Sequence, residues 1–241
     1  MTAPDYSLAD SLAAAAGSAE RLLLTVERMA PEQVSEPSAL PGWTRGHVLA
    51  HIARNADGLG NLLRGARTSQ PIPMYPSPES RDRGIRDGAK RPLEDQLADL
   101  RASGLRFTAA TQAMPDAAWA VEVPHRTGPF PAFTVPLKRV AEVEYHHVDL
   151  GLDYTPAQWP AAFVAQQLAA LTDRYRDDAG LPPLLLRDSA TGADHPLGRG
   201  DRPPLRLDAP AWALVAWLSG RSDGSGLGVP AADLPELPPM G

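Results

Sequence analysis

The sequence predicts a mainly helical α+β protein, with an N-terminal four-helix bundle over residues 1–154 and a smaller C-terminal α/β domain over residues 155–241. Three observations carry this expectation. Four long segments before residue 151 repeat apolar residues at one-turn spacing, the pattern of amphipathic helices. After Gly180 the composition changes to short apolar runs separated by Pro, Gly and Asp, which reads as strands joined by turns. With 241 residues, 43% of them hydrophobic, the chain can build one large or two small cores without staples.

The first helix is expected from Ser7 to Ala30. Ser7 caps it, Asp10 supplies an acidic first turn, and Leu8, Leu12, Ala15, Ala19, Leu22 and Val26 form its stripe. Pro31 ends it. Leu40-Pro41-Gly42-Trp43 reads as a turn with an aromatic anchor. Thr44 then caps a second helix running to about Arg64, with Val48, Ile52, Leu59 and Leu62 or Leu63 on its apolar face. Asn55 interrupts that face, and a polar group in a core stripe needs a partner, which often marks a site. His51 lies one turn from both Val48 and Asn55, on or beside the buried face.

Residues 65–91 read as one long loop, because Pro71, Pro73, Pro76 and Pro78 and the Arg/Asp alternation after them disfavour regular structure. A loop of this length is commonly a lid or binding segment, or else disordered. Pro92, Glu94 and Asp95 open a third helix that runs to about Ala113. Val121–Val123 and Phe133–Val135 flank a Pro/Gly-rich stretch and read as short strands or irregular loop. Pro136 opens the fourth helix, which ends near Gly151. Thr155-Pro156 starts a fifth that ends near Gly180. Leu184–Leu186, Asp194–Pro196 and Leu205–Leu207 are expected as strands. A last helix follows from Ala211 to Ser219, stopped by Gly220, and the tail from Val229 is Pro-rich and expected to be extended.

Composition excludes several function classes. The formal net charge is −6, without the basic stripe that nucleic-acid binding needs. There is no cysteine, so a disulfide, a Cys nucleophile and a Cys-ligated metal are all impossible. Any metal must be held by His, Asp or Glu, and any thiol must arrive on a small molecule. Met1–Asp10 lacks the basic region of a leader, and the apolar runs are far too short for a membrane span. The expected location is the cytoplasm, with no membrane or nucleic-acid partner; the sequence sets no oligomeric state and is compatible with a monomer.

Four of the six histidines fall in two short segments, Trp43–His51 and Arg139–Leu150. On the fourth helix Glu142 and His146 lie on one face at i, i+4, and Asp149 falls close to the same line. Glu144 points away from Glu142, and Glu144/His147 at i, i+3 is the fallback pair. A His from one helix with a Glu/His pair from another leaves a coordination position open, the design of a catalytic rather than a structural zinc. Asp149 would then orient a ligand imidazole or contact substrate. Glu142/His146 is alternatively a plain surface pair worth a few tenths of a kcal/mol. His47, one turn before His51, is either a further ligand or, as its first-turn position favours, a helix N-terminal residue near solvent, and His125 and His195 in loops carry no assigned role. Arg221 either complements the end of the last helix or clamps a substrate carboxylate. Trp43, Trp212 and Trp217 are expected in the core, and Gly224-Ser225-Gly226 is a turn.

The stretch Pro41-Gly42-Trp43-Thr44-Arg45-Gly46-His47-Val48-Leu49-Ala50-His51-Ile52-Ala53-Arg54-Asn55-Ala56-Asp57 resembles a signature of the mycothiol-dependent maleylpyruvate isomerases. Arg139–Gly151 resembles their second signature, Met74–Asp82 the loop between the two, and Trp217-Leu218-Ser219-Gly220-Arg221 their C-terminal motif. The resemblance covers nearly the whole chain. It implies an up-down bundle of the DinB-like superfamily, His51, Glu142 and His146 as zinc ligands, and Arg221 as a catalytic or substrate-binding residue, with Asp149 a weaker carry-over. It also implies mycothiol as the thiol cofactor. The implied reaction converts maleylpyruvate to fumarylpyruvate in gentisate breakdown: a thiolate adds to the conjugated double bond, the bond rotates, and elimination follows. Zinc in the open position would lower the thiol pKa. Arg221, with Arg81 or Arg83, would hold the dicarboxylate substrate.

Two other readings use the same residues. A mycothiol S-transferase would accumulate conjugate rather than regenerate thiol. A non-catalytic metal-binding module would bind metal without turnover and tolerate loss of Arg221. Nickel, cobalt or iron would fit two His and a Glu about as well as zinc.

Overall fold

Capping residues set where the helices begin. The computed structural model describes residues 7–125 and 128–238. Its first helix, α1, spans Leu8–Val26, and the Ser7 hydroxyl accepts from the Asp10 amide. It stops short of Ala30, and Pro31–Ser35 forms a 3-10 turn. Its buried seam is Ser11, Ala15, Ser18, Leu22 and Val26, while Leu8, Leu12 and Ala19 are only half-buried. The seam is rotated because Ser18 faces inward to donate to the buried Glu144 carboxylate at 2.5 Å.

Helix α2, Arg45–Thr68, runs a turn beyond the expected Arg64 and ends at Ser69 in the left-handed region, φ 54°. At its start the Thr44 hydroxyl accepts from the His47 amide, and His47 Nδ1 accepts from the Thr44 amide at 3.2 Å. His47 is therefore a reciprocal cap. Val48, Ile52, Asn55, Leu59, Leu62 and Leu63 are all buried, as the stripe requires.

The long-loop expectation is corrected between residues 78 and 89. Helix α3 spans Pro78–Ala89, with Ser77 as its cap and Pro78 in its first turn. Only Ile85 and Gly88 are buried, so the helix shows almost no apolar stripe and the prolines before it dominate the sequence pattern. It is held against α2 by small residues. A Cβ at Gly88 would stand 2.7 Å from the Ala50 Cβ, and one at Gly46 would stand 2.6 Å from the Ala89 carbonyl.

Helix α4, Leu93–Gln112, packs along α2. Pro92 is its cap residue rather than a first-turn residue. Strands β1, Glu122–Val123, and β2, Phe130–Pro131, pair antiparallel. The expected second strand lies instead in a 3-10 turn, Ala132–Thr134, that leads into α5, Val135–Asp149. Helix α5 packs on α1 and α2. Leu22, Val26, Val48, Leu49, Ile52, Leu100, Val143 and Leu150 interlock as the core of this unit.

The chain divides into two compact units between Tyr154 and Thr155. In the second, a 3-10 turn at Pro156–Gln158 and the break at Trp159-Pro160 precede α6, Ala161–Tyr175, so the expected single helix is split and shortened. Strands β3, Leu184–Asp188, β4, Asp194–Leu197, and β5, Leu205–Ala209, form one sheet in the order β4-β3-β5. The β3–β4 pair is antiparallel and the β3–β5 pair parallel. Helix α7, Ala211–Leu218, packs on α6 and β3. Trp217 is buried, but Trp212, in the first turn of α7, is 39% exposed and not a core residue. The tail contains a 3-10 turn at Ala231–Asp233 rather than being extended throughout. Residues 1–6, on which the leader reading partly rests, and the tail end at 239–241 lie outside the described residues. Among the described residues no helix is long and apolar enough to cross a membrane.

Candidate metal centre

Helices α2 and α5 bring His51, Glu142 and His146 together. The Nε2 atoms of His51 and His146 are 3.0 Å apart. Glu142 Oε2 lies 3.1 Å from His51 Nε2 and 3.6 Å from His146 Nε2. Donors about 2.0–2.1 Å from a tetrahedral zinc are separated by roughly 3.3 Å, so this triangle has the size of one face of such a site. His51 is buried, and the other two are partly exposed.

Proton accounting supports a metal. His146 donates its Nδ1 hydrogen to Asp149 Oδ2 at 2.8 Å, which leaves Nε2 as a lone pair facing His51. Glu142 also presents a lone pair. Desolvation pushes its carboxyl up, but His51, His146 and Arg139 outweigh this and hold its pKa at about 2. A neutral His51 offers one proton at most to two acceptors. Three convergent donors with one proton among them are what a divalent cation would satisfy, and two imidazoles with a carboxylate suit zinc. Burial pushes His51 below its ordinary value of 6.5, with His146 and Arg81 adding and Glu142 opposing, so the ring is kept in the neutral form a metal needs.

The fallback pair is not part of this cluster. Glu144 is fully buried on another face of α5, where it accepts from Ser18 at 2.5 Å, Arg21 at 2.6 Å and Tyr154 at 2.5 Å. His147 Nε2 is 2.8 Å from the Thr25 hydroxyl, and its ring stacks on Tyr154 at 3.7 Å. Both residues tie α5 to neighbouring structure. His47, the α2 cap, lies with its ring 5.9 Å from that of Trp43. His125 packs edge-on against Phe130, and His195 lies on β4.

Asn55 satisfies a buried cation. Its Oδ1 accepts from Arg139 Nη1 at 2.9 Å, beside the Ile52 carbonyl at 2.8 Å. Arg139 is 4% exposed and sits one turn before Glu142. Burial pushes it down to about 10, so it remains a cation at neutral pH, and its charge favours ionised Glu142. Sequence reasoning missed Arg139. A signal was present: Asn55 and Arg139 are the polar positions one turn from His51 and Glu142 on facing helices. Lys138, beside the Phe130 ring at 4.3 Å, also feels Glu142. Arg81, at the start of α3, reaches His51 Nδ1 with Nη2 at 3.4 Å, while Arg83 is exposed. A chain of net charge −6 thus gathers cations around its donor triad.

Arg221 belongs to the second unit. Gly220 takes φ 73° after α7, and Arg221 Nη1 donates to the Ser219 carbonyl at 2.7 Å.

A family model described as mycothiol maleylpyruvate isomerase N-terminal domain matches residues 15–151, more than half of the chain. The chain belongs to this family. The matched span contains all three donors and Asp149. A crystal structure of the mycothiol-dependent maleylpyruvate isomerase is 28% identical, with a TM-score of 0.91 over 100% of both chains. A histidine-to-alanine mutant of the mycothiol-dependent maleylpyruvate isomerase is 27% identical, with the same TM-score and coverage. No curated protein matches the sequence. At this identity and coverage the likeness extends over both units, including the α+β fold.

Proposed function

We propose that this protein is a zinc- and mycothiol-dependent isomerase that converts maleylpyruvate to fumarylpyruvate, a cytoplasmic step of gentisate breakdown. The observation that carries the proposal is the triangle of His51, Glu142 and His146 donors. Family membership and the similarity to the mycothiol-dependent isomerase select the reaction. On this reading α1, α2, α4 and α5 are an up-down, DinB-like four-helix bundle built around the site, and residues 155–241 form a separate α/β domain.

When bound, zinc would shift the mycothiol thiol toward its thiolate at neutral pH, supplying the nucleophile that adds to the conjugated double bond and later leaves. The protein groups divide the remaining work. His51, Glu142 and His146 hold the metal and leave a position open. Asp149 keeps the His146 proton on Nδ1. Glu142 stays ionised at any working pH and supplies one negative charge. Arg139, held by Asn55, balances that charge from within the core. Arg221 binds a substrate carboxylate, and the surrounding cations favour the dianion and the enolate formed on addition.

The test is turnover. Zinc-loaded protein is incubated with maleylpyruvate with and without mycothiol, and fumarylpyruvate is followed. Conversion that requires mycothiol without consuming it supports the proposal. Accumulating conjugate would replace it with a transferase, and metal binding without any thiol-dependent reaction would make the chain a non-catalytic module.

A further inference from the structure

Lys138 lies one turn before Glu142 and two before His146, on the face of α5 that carries both. A lysine and a glutamate at this spacing can pair across the helix surface. Here the pair is not made. Glu142 turns to His51 and His146, and the Lys138 ammonium stands over the Phe130 ring, 4.3 Å from its centroid. Among the described residues no carboxylate lies within ion-pair distance of it. The position also works against the helix. The first turn of α5 holds no acid, and a cation near a helix N-terminus opposes the dipole. The side chain is partly buried, which pushes its pKa below the ordinary 10.5, with Glu142 opposing. A lysine that served only solubility would extend its ammonium into water. This one is held as a fixed cation one turn from the donor triad, on an aromatic face that attracts the charge without neutralising it.

We propose that Lys138 seats the far carboxylate of the substrate, the one beyond its two carbonyls, and so makes the site select a dicarboxylate over a monocarboxylate. The inference rests on the isomerase reading above and assigns the residue that sets its substrate class. The spacing fits. Four residues of helix rise about 6 Å from Lys138 to Glu142, and the substrate chain from its double bond to its far carboxylate is roughly 5–6 Å long. A carboxylate reaching Lys138 would supply the counter-ion that Glu142, turned to the histidines, does not. A dianion needs two seats, and the role proposed for Arg221 fills only one. Phe130, on β2, positions the ammonium from outside α5.

Two probes separate the carboxylates. 4,6-Dioxoheptanedioate keeps the substrate's carboxylates and carbonyls without the double bond, and 4,6-dioxoheptanoate carries a methyl group where the far carboxylate stood. Both share the diketone, so any contact it makes with the metal cancels in the comparison. Each is titrated calorimetrically into zinc-loaded wild type, K138M and K138R, with zinc content and thermal midpoint measured in each. Wild type is expected to bind the diacid about tenfold or more tighter than the monoacid, the effect of one charge-assisted contact. K138M should weaken the diacid about tenfold and leave the monoacid within about twofold. K138R should recover part of the diacid preference, because it keeps the charge. Zinc content should be the same in all three. No binding of the diacid to wild type, no preference for it, a K138M that binds it as wild type does, an equal loss of both probes, or a loss that tracks zinc content would each overturn the seat. The two proposals fail separately. Absent turnover with a Lys138-dependent diacid preference sinks the isomerase reading alone, and mycothiol-dependent turnover with Lys138-independent binding sinks the seat alone.

Discussion

Asp149 accepts the Nδ1 hydrogen of His146 at 2.8 Å, and this one bond decides which face of the imidazole looks toward Glu142 and His51. Asp149 is 2% exposed at the end of α5, so it makes that bond shielded from solvent. An amide in its place can still accept but brings no charge. D149N is expected to weaken zinc binding roughly 10- to 100-fold, measured by competition with a chromophoric chelator. Unchanged affinity would show that His146 is oriented by packing alone.

Glu144 is expected to matter for folding and not for metal. E144A leaves the Ser18 and Tyr154 hydroxyls without their carboxylate and Arg21 without its counter-ion. Arg21 is 40% exposed and recovers some solvation, so the cost should be about 3 kcal/mol. Denaturant unfolding reads it. The variant should still bind one zinc per chain, and a loss of zinc at intact fold would revive Glu144 as a ligand.

Much of this site was legible because its signals are local. Glu142 and His146 share a helix face at i, i+4, and Asn55 interrupts a core stripe one turn from His51. The β-strands at Leu184, Asp194 and Leu205 were legible from apolar runs between turn residues. What was not legible depends on distant partners. Ser18 is buried because Glu144, 126 residues away, needs a donor. Helix α3 has only two buried residues and depends on contact with α2, so its own pattern could not announce it. Arg139 carries a local signal, one turn before Glu142, but its burial follows only from Asn55 and the Ile52 carbonyl, which hold it in the core.

Acid should destabilise the fold partly through His147. Burial, with Arg21 adding, pushes its pKa from 6.5 to about 4. The unfolded chain therefore binds a proton between those values where the folded chain does not. Stability from this group is full above pH 6.5, falls as pH drops toward 4, and changes no further below that, a loss of no more than about 3 kcal/mol. H147N removes the titration. In metal-free protein its unfolding midpoint should depend less on pH between 6.5 and 4 than wild type's, and equal slopes would contradict the assignment.

Gly88 sets the distance between α3 and α2. G88A places a Cβ 2.7 Å from that of Ala50, and neither atom can rotate away. Overpacking of about 1–3 kcal/mol should exceed the gain in helix propensity. The variant should lower the thermal midpoint, and A50G in the same chain should restore it. A single variant as stable as wild type would show that the helices separate freely.

His51, Glu142 and His146 are expected to hold a zinc with one position open to a thiol. Zinc-edge X-ray absorption with mycothiol added tests it most directly, because the chain has no cysteine. The expected shell has nitrogen and oxygen donors at about 2.0–2.1 Å, and one sulfur at about 2.3 Å that appears only with mycothiol. A zinc shell that is unchanged by mycothiol, or that survives in an H51A/H146A double variant, would contradict it.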